Sequence, residues 1–313
     1  MNFLRLLGPV VAVALFASNA QAQFINILTG GTAGVYYPLG VALSKIYADN
    51  LAGSRPSVQA TRASVENLNL LQQGKGEIAL TLGDSLGFAW AGDADAGFTQ
   101  PLNKLRGIAA VYPNYIQLVA TRESGIRTIA DLKGKRISVG AAKSGTELNT
   151  RAILKAAGLT YTDMGKVEYL DFAQSIELMK NRQLDVTLQS AGLGVASIRD
   201  LAATNDIVVV AIPAELVGKI GAPYVAGIIP ANTYRGQATD VPTAAVVNFL
   251  VTHDGVPDDL VYRMTKTMYD NLATMVSAHA AARDIKLEAA MQGMPIPLHP
   301  GAERFLKEKG VAR

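Results

Sequence analysis

The chain has 313 residues, of which 49% are hydrophobic and 18% are charged, and this composition excludes a disordered or fibrous protein. The formal net charge is only +3 and no basic stripe is visible, which argues against nucleic-acid binding. The chain has no cysteine and three histidines. Disulfides, thiolate metal sites and cysteine nucleophiles are therefore excluded, and a multi-histidine metal site is disfavoured.

The first 22 residues are predicted to form a secretory signal peptide. Arg5 precedes an apolar run from Leu6 to Phe16, and Ala20-Gln21-Ala22 has the small-x-small pattern of a cleavage site after Ala22. The alternative is a single membrane anchor, which is disfavoured because the apolar run falls well short of the ~20 residues that span a bilayer. An exported protein without cysteine fits the periplasm of a Gram-negative bacterium.

Predicted strands and helices alternate along the next 190 or so residues. In chain order the strands are Phe24–Leu28, Ser57–Ala60, Glu77–Leu82, Arg136–Val139, Val167–Leu170, Leu184–Leu188 and Ile207–Ile212. The helices are Val35–Asn50, Val65–Gln73, Glu147–Ala157, Ala173–Asn181 and Val195–Ala203. Repeated units of this kind indicate parallel sheets with helices on both faces.

Two prolines interrupt the alternation. The apolar segment Gly107–Ala120 is predicted to form two strands separated at Tyr112–Asn114, because proline does not fit inside a central strand. A second break falls at Ile212–Pro213. We therefore expect two α/β lobes, joined by two crossing segments that act as hinges, with a ligand cleft at the carboxyl ends of the strands. The predicted lobes are residues 23–112 plus 214–313 (lobe I) and residues 113–213 (lobe II).

The C-terminal part of the chain has a different pattern. Tyr224–Ile229 is predicted to be a strand, and Thr243–Thr252 is apolar enough for a strand or a helix. A long amphipathic helix is predicted after Pro257, with two aspartates in its first turn. Its apolar side chains recur at helical spacing and are expected to pack into the core: Leu260, Val261, Met264, Met268, Leu272, Met275 and Val276.

Three predicted helix starts carry the functional signal. Thr29–Val35 is a glycine-rich turn, Ser64 is a good N-cap residue, and Ser144–Glu147 has the pattern of a capping box. Helix starts offer unpaired N–H groups and the positive end of the helix dipole, so together they could hold a small anion. Each segment alone is equally well explained by a turn or a cap without a ligand. The glycine turn lacks the patterns of nucleotide-binding loops, so nucleotide binding is not supported.

The order of these segments resembles the solute receptors of TRAP transporters, specifically the TRAP-associated extracytoplasmic immunogenic (TAXI) family. The matching stretches are Thr29–Pro38 (TGGTAGVYYP), Ser64–Leu71 (SVENLNLL), Asp131–Gly140 (DLKGKRISVG), Ser144–Glu147 (SGTE), Ile229–Thr243 (IPANTYRGQATDVPT) and Val256–Tyr262 (VPDDLVY). The resemblance implies an α/β, two-lobed type II periplasmic binding protein fold that closes over a small solute. It also implies delivery to the membrane permease subunits of a TRAP transporter, driven by an ion gradient. The ligands of the family are mostly small carboxylates, including glutamate and 2-oxoglutarate.

The residues expected to bind the ligand combine the helix starts with the positions that the resemblance implies. They are Gly31, Thr32, Val35, Tyr36, Arg62, Ser64, Val65, Asn67, Asp84, Lys143, Ser144, Gly145, Thr146 and Gln189. We expect a monomer without catalytic activity, cofactor, metal or nucleic-acid partner. Ala33, Arg62-Ala63 and Lys143 stand where the family often has glycine or another small residue, and Ala191-Gly192-Leu193 replaces its more usual Gly-Gly-x-Pro. Our hypothesis is that Arg62 and Lys143 add positive charge for a second carboxylate, which favours a dicarboxylate.

Two other functions stay open at this point. Ser144-Gly145 is similar to the nucleophile turn of a serine hydrolase, but the preceding Gly-x is missing and the three histidines lie in the last quarter of the chain. A paired-carboxylate glycosidase has little support, because Trp90 is the only tryptophan available to stack on a sugar. A receptor of an ATP-driven importer could use the same fold, and the receptor sequence barely separates it from a TRAP receptor.

Overall fold

The computed structural model describes residues 23–312, so the predicted signal peptide lies outside the described residues. The strands are β1 Gln23–Leu28, β2 Ser54–Gln59, β3 Ile78–Leu82, β4 Leu105–Thr121, β5 Arg136–Ser138, β6 Lys166–Glu168, β7 Val186–Ala191, β8 Ile207–Val210, β9 Val225–Ile229 and β10 Val241–His253. The helices are α1 Tyr36–Asn50, α2 Ser64–Gln72, α3 Gly83–Ala91, α4 Gly145–Ala156, α5 Phe172–Lys180, α6 Ala196–Thr204, α7 Ala214–Ile220, α8 Asp258–Asp270, α9 Leu272–Ala278 and α10 Pro300–Glu308. None of the helices within residues 23–312 is long and apolar enough to cross a membrane.

All ten strands belong to one mixed sheet. Its order is β2-β1-β3-β10-β4-β7-β5-β6, with β8 also beside β4 and β9 also beside β10. The pairs among β1, β2 and β3 are parallel, as are those among β5, β6 and β7, whereas every pair that involves β4 or β10 is antiparallel. The expectation of parallel sheets is therefore right for the two outer groups and wrong for the middle. The two long antiparallel strands connect the groups and produce the two-lobed arrangement.

The prediction of two strands within Gly107–Ala120 is wrong, because β4 runs unbroken through Pro113. Pro113 lies opposite Val247 at a shift in the β4–β10 register, and β4 begins to pair with β7 only at Tyr115. A strand tolerates proline at such an irregular position, where regular ladder bonds are already interrupted. The segment Thr243–Thr252, which had been open between strand and helix, lies within β10.

The C-terminal helical segment consists of two helices, α8 and α9, separated at Asn271. The predicted core positions of the apolar stripe are confirmed for the five that are fully buried, which are Leu260, Val261, Met264, Met268 and Met275. The other two, Leu272 and Val276, are partly buried and pack against the same cluster.

The predicted lobe boundaries stay a prediction, but the packing bears on where the chain crosses between the lobes. Val217 of α7 and Tyr224 share a hydrophobic cluster with Ile116 and Leu188, which lie in lobe II. The same cluster includes Val246 of β10. The chain beyond Pro213 thus still packs on lobe II, and this favours a second crossing within β10 rather than at residue 213.

Candidate functional site

The three helix starts meet at one cavity of about 140 Å³. Gly31, Ser64 and Ser144 all line it, and they follow the carboxyl ends of β1, β2 and β5, where open α/β sheets bind ligands. A cavity of roughly 150 Å³ in another protein holds benzene, so this volume suits a small organic solute. The lining residues are Gly30, Gly31, Gly34, Val35, Tyr36, Thr61, Arg62, Ala63, Ser64, Leu82, Tyr112, Asn114, Ala141, Ser144, Thr146, Asp171, Phe172, Ser190 and Ala191.

The start of α2 is held by a turn with an unusual backbone. Ala63 has a φ of 69°, in the region that favours glycine, and its N–H donates to Thr61 Oγ1 at 2.9 Å. Ser64 Oγ accepts the N–H of Leu82 at 3.1 Å, which ties α2 to the end of β3. Ser64 is the first residue of the helix rather than its cap, so its hydroxyl group braces the wall of the cavity.

The start of α4 confirms half of the predicted capping box. Ser144 is the N-cap residue, and its Oγ accepts the N–H of Glu147 at 3.1 Å. The Glu147 carboxylate does not return to Ser144. It pairs with Arg151 at 2.9 Å and accepts the hydroxyl of Tyr161 at 2.8 Å. The first N–H groups of α4, at Gly145 and Thr146, have no partner within the helix and remain available beside the cavity.

A fourth helix start also lies at the cavity: the sequence predicted this helix, over Ala173–Asn181, but not that its start faces the ligand site. Asp171 caps α5, accepting the N–H of Gln174 at 2.8 Å, and Phe172 also lines the cavity. A Cβ added at Gly34 would lie 3.7 Å from the Phe172 ring, so the glycine turn of lobe I directly faces this helix of lobe II. The capping-box pattern Asp171-x-x-Gln174 was the signal that could have found it.

Buried side chains of the two long strands form the floor of the cavity. Tyr36 donates its hydroxyl hydrogen to Asn248 Oδ1, and Asn248 Nδ2 donates to Asn114 Oδ1 at 2.7 Å. Asn114 Nδ2 in turn donates to the carbonyl oxygen of Ser190 at 2.8 Å. Burial raises the pKa of both Tyr36 and Tyr112 well above the ordinary tyrosine value, so both phenols are neutral. The Tyr112 hydroxyl is buried without a hydrogen-bond partner in the described part of the chain.

Half of the predicted ligand-binding residues line the cavity, and a ligand-binding role for any of them stays a prediction. Those that line it are Gly31, Val35, Tyr36, Arg62, Ser64, Ser144 and Thr146. Those outside the lining are Thr32, Val65, Asn67, Asp84, Lys143, Gly145 and Gln189. The sequence missed Tyr112, Asn114 and Ser190, which come to the cavity only because β4 and β7 pair at this point.

Several of the residues outside the lining have clear structural contacts instead. Asn67 Nδ2 donates to the carbonyl oxygens of Thr29 at 2.7 Å and Leu80 at 2.9 Å, which joins α2 to β1 and β3. Gln189 is buried and accepts the Ser197 hydroxyl at 2.6 Å. Thr32 is exposed in the glycine turn, whereas Val65 is buried in a hydrophobic cluster of lobe I.

The two cations of the dicarboxylate hypothesis lie at the rim. Arg62 lines the cavity, but its Nε is 3.1 Å from Glu66 Oε2 and half of its side chain is exposed. Lys143 is exposed, with a φ of 62°, and does not line the cavity. The structure therefore places Arg62 in an ion pair with Glu66 of the first turn of α2, and it leaves the backbone N–H groups as the main positive feature of the cavity.

Within residues 23–312 no group of three or more histidine, cysteine, aspartate or glutamate side chains is arranged to hold a metal ion. Asp171 is the one acidic residue in the cavity lining, and its Oδ1 is engaged by the N–H of Gln174.

A family model described as the NMT1-like family matches residues 27–310. The chain belongs to the NMT1-like family. The match begins within β1 and ends after α10, so it spans both lobes and every segment of the cavity. Membership of the TAXI family in particular stays a prediction.

Solved structures support the fold of this NMT1-like chain. A periplasmic transporter superimposes with a TM-score of 0.59 at 11% identity, covering 92% of each chain. A putative L-cystine ABC transporter from Listeria monocytogenes superimposes with a TM-score of 0.53 at 14% identity, covering 84% of this chain and 98% of the other. The alkanesulfonate-binding protein SsuA from Xanthomonas axonopodis pv. citri, bound to MOPS, superimposes with a TM-score of 0.50 at 17% identity. The match covers 92% of this chain and 84% of the other. The prediction of a two-lobed periplasmic binding protein fold is confirmed.

Proposed function

We propose that this NMT1-like protein is a periplasmic receptor that captures a small carboxylate between its two lobes. The observation that carries the proposal is the meeting of helix starts from both lobes at one cavity, with Ser64 on one side and Ser144 on the other. The N–H groups at a helix start suit an anion, because they are unpaired donors at the positive end of the helix dipole. Each hydrogen bond to a charged group contributes about 1.5–3 kcal/mol, so a few of them support micromolar binding.

The size and polarity of the cavity favour a small solute over a nucleotide or a peptide. A volume of about 140 Å³ is of the size that holds a small organic molecule, which suits a compact carboxylate such as glutamate or 2-oxoglutarate better than a nucleotide or a peptide. Of the charged side chains that line the cavity, Arg62 is paired with Glu66 and Asp171 caps its own helix. Neither side chain thus offers a free charge to a second carboxylate, so the proposed preference for a dicarboxylate rests on the fit of the cavity and is the more specific part of the proposal.

A thermal-shift screen tests the ligand class. The panel consists of mono- and dicarboxylates with three to six carbons, acidic amino acids, and cystine, arginine and alkanesulfonates as comparison solutes. A solute at a hundred times its dissociation constant should stabilise the protein by about 2.7 kcal/mol. If only sulfonates or cystine raise the melting temperature, the protein is a receptor but its ligand is not a carboxylate. If no solute of the panel raises the melting temperature, the result argues against a receptor function.

For the membrane partner we propose the permease subunits of a TRAP transporter. A second candidate, the receptor of an ATP-driven importer, is favoured by the names of two neighbours in fold, an ABC transporter and an alkanesulfonate-binding protein. Reconstitution of the loaded receptor with each permease type in vesicles distinguishes the two. Uptake that follows a sodium or proton gradient supports the TRAP partner, and uptake that requires ATP supports the second candidate.

A hydrolase receives no support from the cavity. Ser144 Oγ is engaged as a helix cap by Glu147, and none of the three histidines lines the cavity. A serine nucleophile needs a base within hydrogen-bond reach. We therefore propose binding without turnover, which is tested by recovering the bound solute unchanged from the purified protein.

A further inference from the structure

A buried polar contact joins the two lobes behind the cavity. Asn149 of α4, in lobe II, donates from Nδ2 to Asp84 Oδ2 of α3, in lobe I, at 2.7 Å. Tyr224, just before β9, donates its hydroxyl hydrogen to the same Oδ2 at 2.6 Å and accepts from Asn149 Nδ2 at 2.8 Å. The three side chains are between 0% and 8% exposed. The three groups thus form a closed ring of hydrogen bonds in which the carboxylate belongs to one lobe and the amide to the other.

This ring lies one helical turn from the part of α4 that faces the cavity. Asn149 follows Gly145 and Thr146 by four and three residues, and 3.6 residues make one turn. A Cβ added at Gly145 would lie 2.8 Å from Ser64 Oγ and 2.9 Å from Ser85 Oγ, so the start of α4 is in close contact with lobe I. Whatever holds Asn149 against α3 therefore also fixes the distance between the first N–H groups of α4 and the opposite wall of the cavity.

We propose that Asp84, Asn149 and Tyr224 form a latch that holds the two lobes closed even before a solute is bound. In this role Asp84 is a positioning residue, because it acts on the cavity through α4 and does not line it. The latch itself is a property of the ligand-free protein. Its effect on solute binding rests on the proposed function.

The charge of Asp84 makes the latch sensitive to pH. Burial raises the pKa of the Asp84 carboxyl group above its ordinary value, although hydrogen bonds from the Tyr224 hydroxyl and the Ser85 N–H lower it. Opening would hydrate the carboxyl group and return its pKa towards the ordinary value of about 4. Because the closed form then binds the proton more tightly, closure should strengthen as the pH falls. The charged side chains along the groove in front of Asp84 are Asp93, Asp95, Arg151, Lys155 and Lys219, and none of them is hydrogen bonded to it within the described chain.

Pulsed electron paramagnetic resonance on the ligand-free protein, which measures the distance between two spin labels, tests the latch. The chain has no cysteine, so spin labels on cysteines introduced at Val41 of α1 and at Lys133 report one position on each lobe. Both positions are largely exposed, at 46% and 73%. Wild type should show a dominant closed distance, and Asp84→Ala should lower the closed-to-open ratio about 10- to 100-fold. Asn149→Ala should act in the same direction and replaces Asp84→Ala if that variant fails to fold.

A matched control separates a latch from a general loss of stability. Met268→Ala removes a fully buried apolar side chain from α8 of lobe I and should lower the melting temperature without changing the distances. As the pH is lowered from 8 towards the ordinary carboxyl pKa of about 4, the closed fraction should rise in wild type and stay constant in Asp84→Asn. A wild type that is entirely open, or an Asp84→Ala distribution identical to wild type, would overturn the latch.

Binding kinetics with 2-oxoglutarate as the probe separate this inference from the proposed function. If the probe binds, Asp84→Ala should raise its dissociation rate about 10-fold or more with little change in the association rate, because the latch acts after the solute has entered. An unchanged dissociation rate would show that the latch does not affect solute binding. If no carboxylate binds at all, the proposed function fails, and the ligand-free distances still decide whether the latch exists.

Discussion

Replacing Gly145 with alanine should weaken solute binding while the protein stays folded. The added Cβ would lie 2.6 Å from Leu82 Cδ1, 2.8 Å from Ser64 Oγ and 2.9 Å from Ser85 Oγ, all shorter than normal contacts. These three neighbours belong to lobe I and are buried, so they have little room to move when α4 closes on them. Overpacking of this kind costs about 1–3 kcal/mol. If the cost falls on the closed form alone, the dissociation constant should rise about 5- to 150-fold.

Calorimetry with the solute identified by the thermal-shift screen measures this change, and the melting temperature of the ligand-free variant checks that it is folded. Gly87→Ala is the matched control, since Gly87 also lies in a helix beside the interface between the lobes and an added Cβ would meet nothing within 4 Å. The control should bind normally and be stabilised by up to about 1 kcal/mol. Binding by Gly145→Ala within twofold of wild type would refute closure of α4 onto lobe I.

Three further predictions concern the wall and the rim of the cavity. Asn67→Ala removes two buried hydrogen bonds, to the carbonyl oxygens of Thr29 and Leu80, and should lower the free energy of unfolding by about 1–3 kcal/mol, measured by urea denaturation; an effect below about 0.5 kcal/mol would contradict its structural role. Arg62→Ala should weaken dicarboxylate binding less than about fivefold in calorimetry, because Arg62 is exposed and paired; a loss of a hundredfold would show that it binds the ligand directly. Ala63→Gly should raise the melting temperature, because glycine adopts a φ of 69° without strain; a lower melting temperature would mean that the Ala63 side chain stabilises the protein by its packing.

The helix starts at the cavity could be predicted because the signals that form them are local. Ser144 caps a helix three residues before Glu147, and a single segment of sequence contains both partners. The fourth start, at Asp171, carries a signal of the same kind and was predictable in principle. That these starts share one cavity follows from the rule that ligands bind at the carboxyl ends of strands, which holds for any open α/β sheet.

What the sequence did not predict depends on contacts between distant parts of the chain. Pro113 was taken for a strand break, because the register shift that accommodates it is made by β10, more than 120 residues later. Asp84 was expected to bind the ligand, whereas its partners, Asn149 and Tyr224, come from the opposite lobe and from the segment before β9. No pattern near Asp84 in the sequence points to either partner. The helix α3, which carries Asp84, was also not predicted.

Two of the positions that depart from the glycine pattern of the resembled TAXI family have an unusual backbone conformation. Ala63 and Lys143, which stand where that family often has glycine or another small residue, have φ values of 69° and 62°. Glycine adopts this conformation without the steric cost that a Cβ brings, so the backbone turn by itself favours glycine at these positions. Retaining a side chain at such positions costs of order 1–3 kcal/mol each, and non-glycine residues held this way concentrate at functional sites.

The arrangement of charge around the cavity bears on how this NMT1-like protein selects its solute. The charged side chains that line the cavity, Arg62 and Asp171, are paired or engaged in capping, whereas the interior presents hydroxyl groups, neutral tyrosines and the N–H groups of helix starts. Backbone N–H groups recognise negative charge but do not distinguish one carboxylate from another. Selectivity must then come from the shape of a cavity of about 140 Å³ and from how closely α4 approaches lobe I. Changes at Gly145 or Asp84, which set that approach, should therefore alter selectivity among carboxylates more than the removal of any charge at the rim.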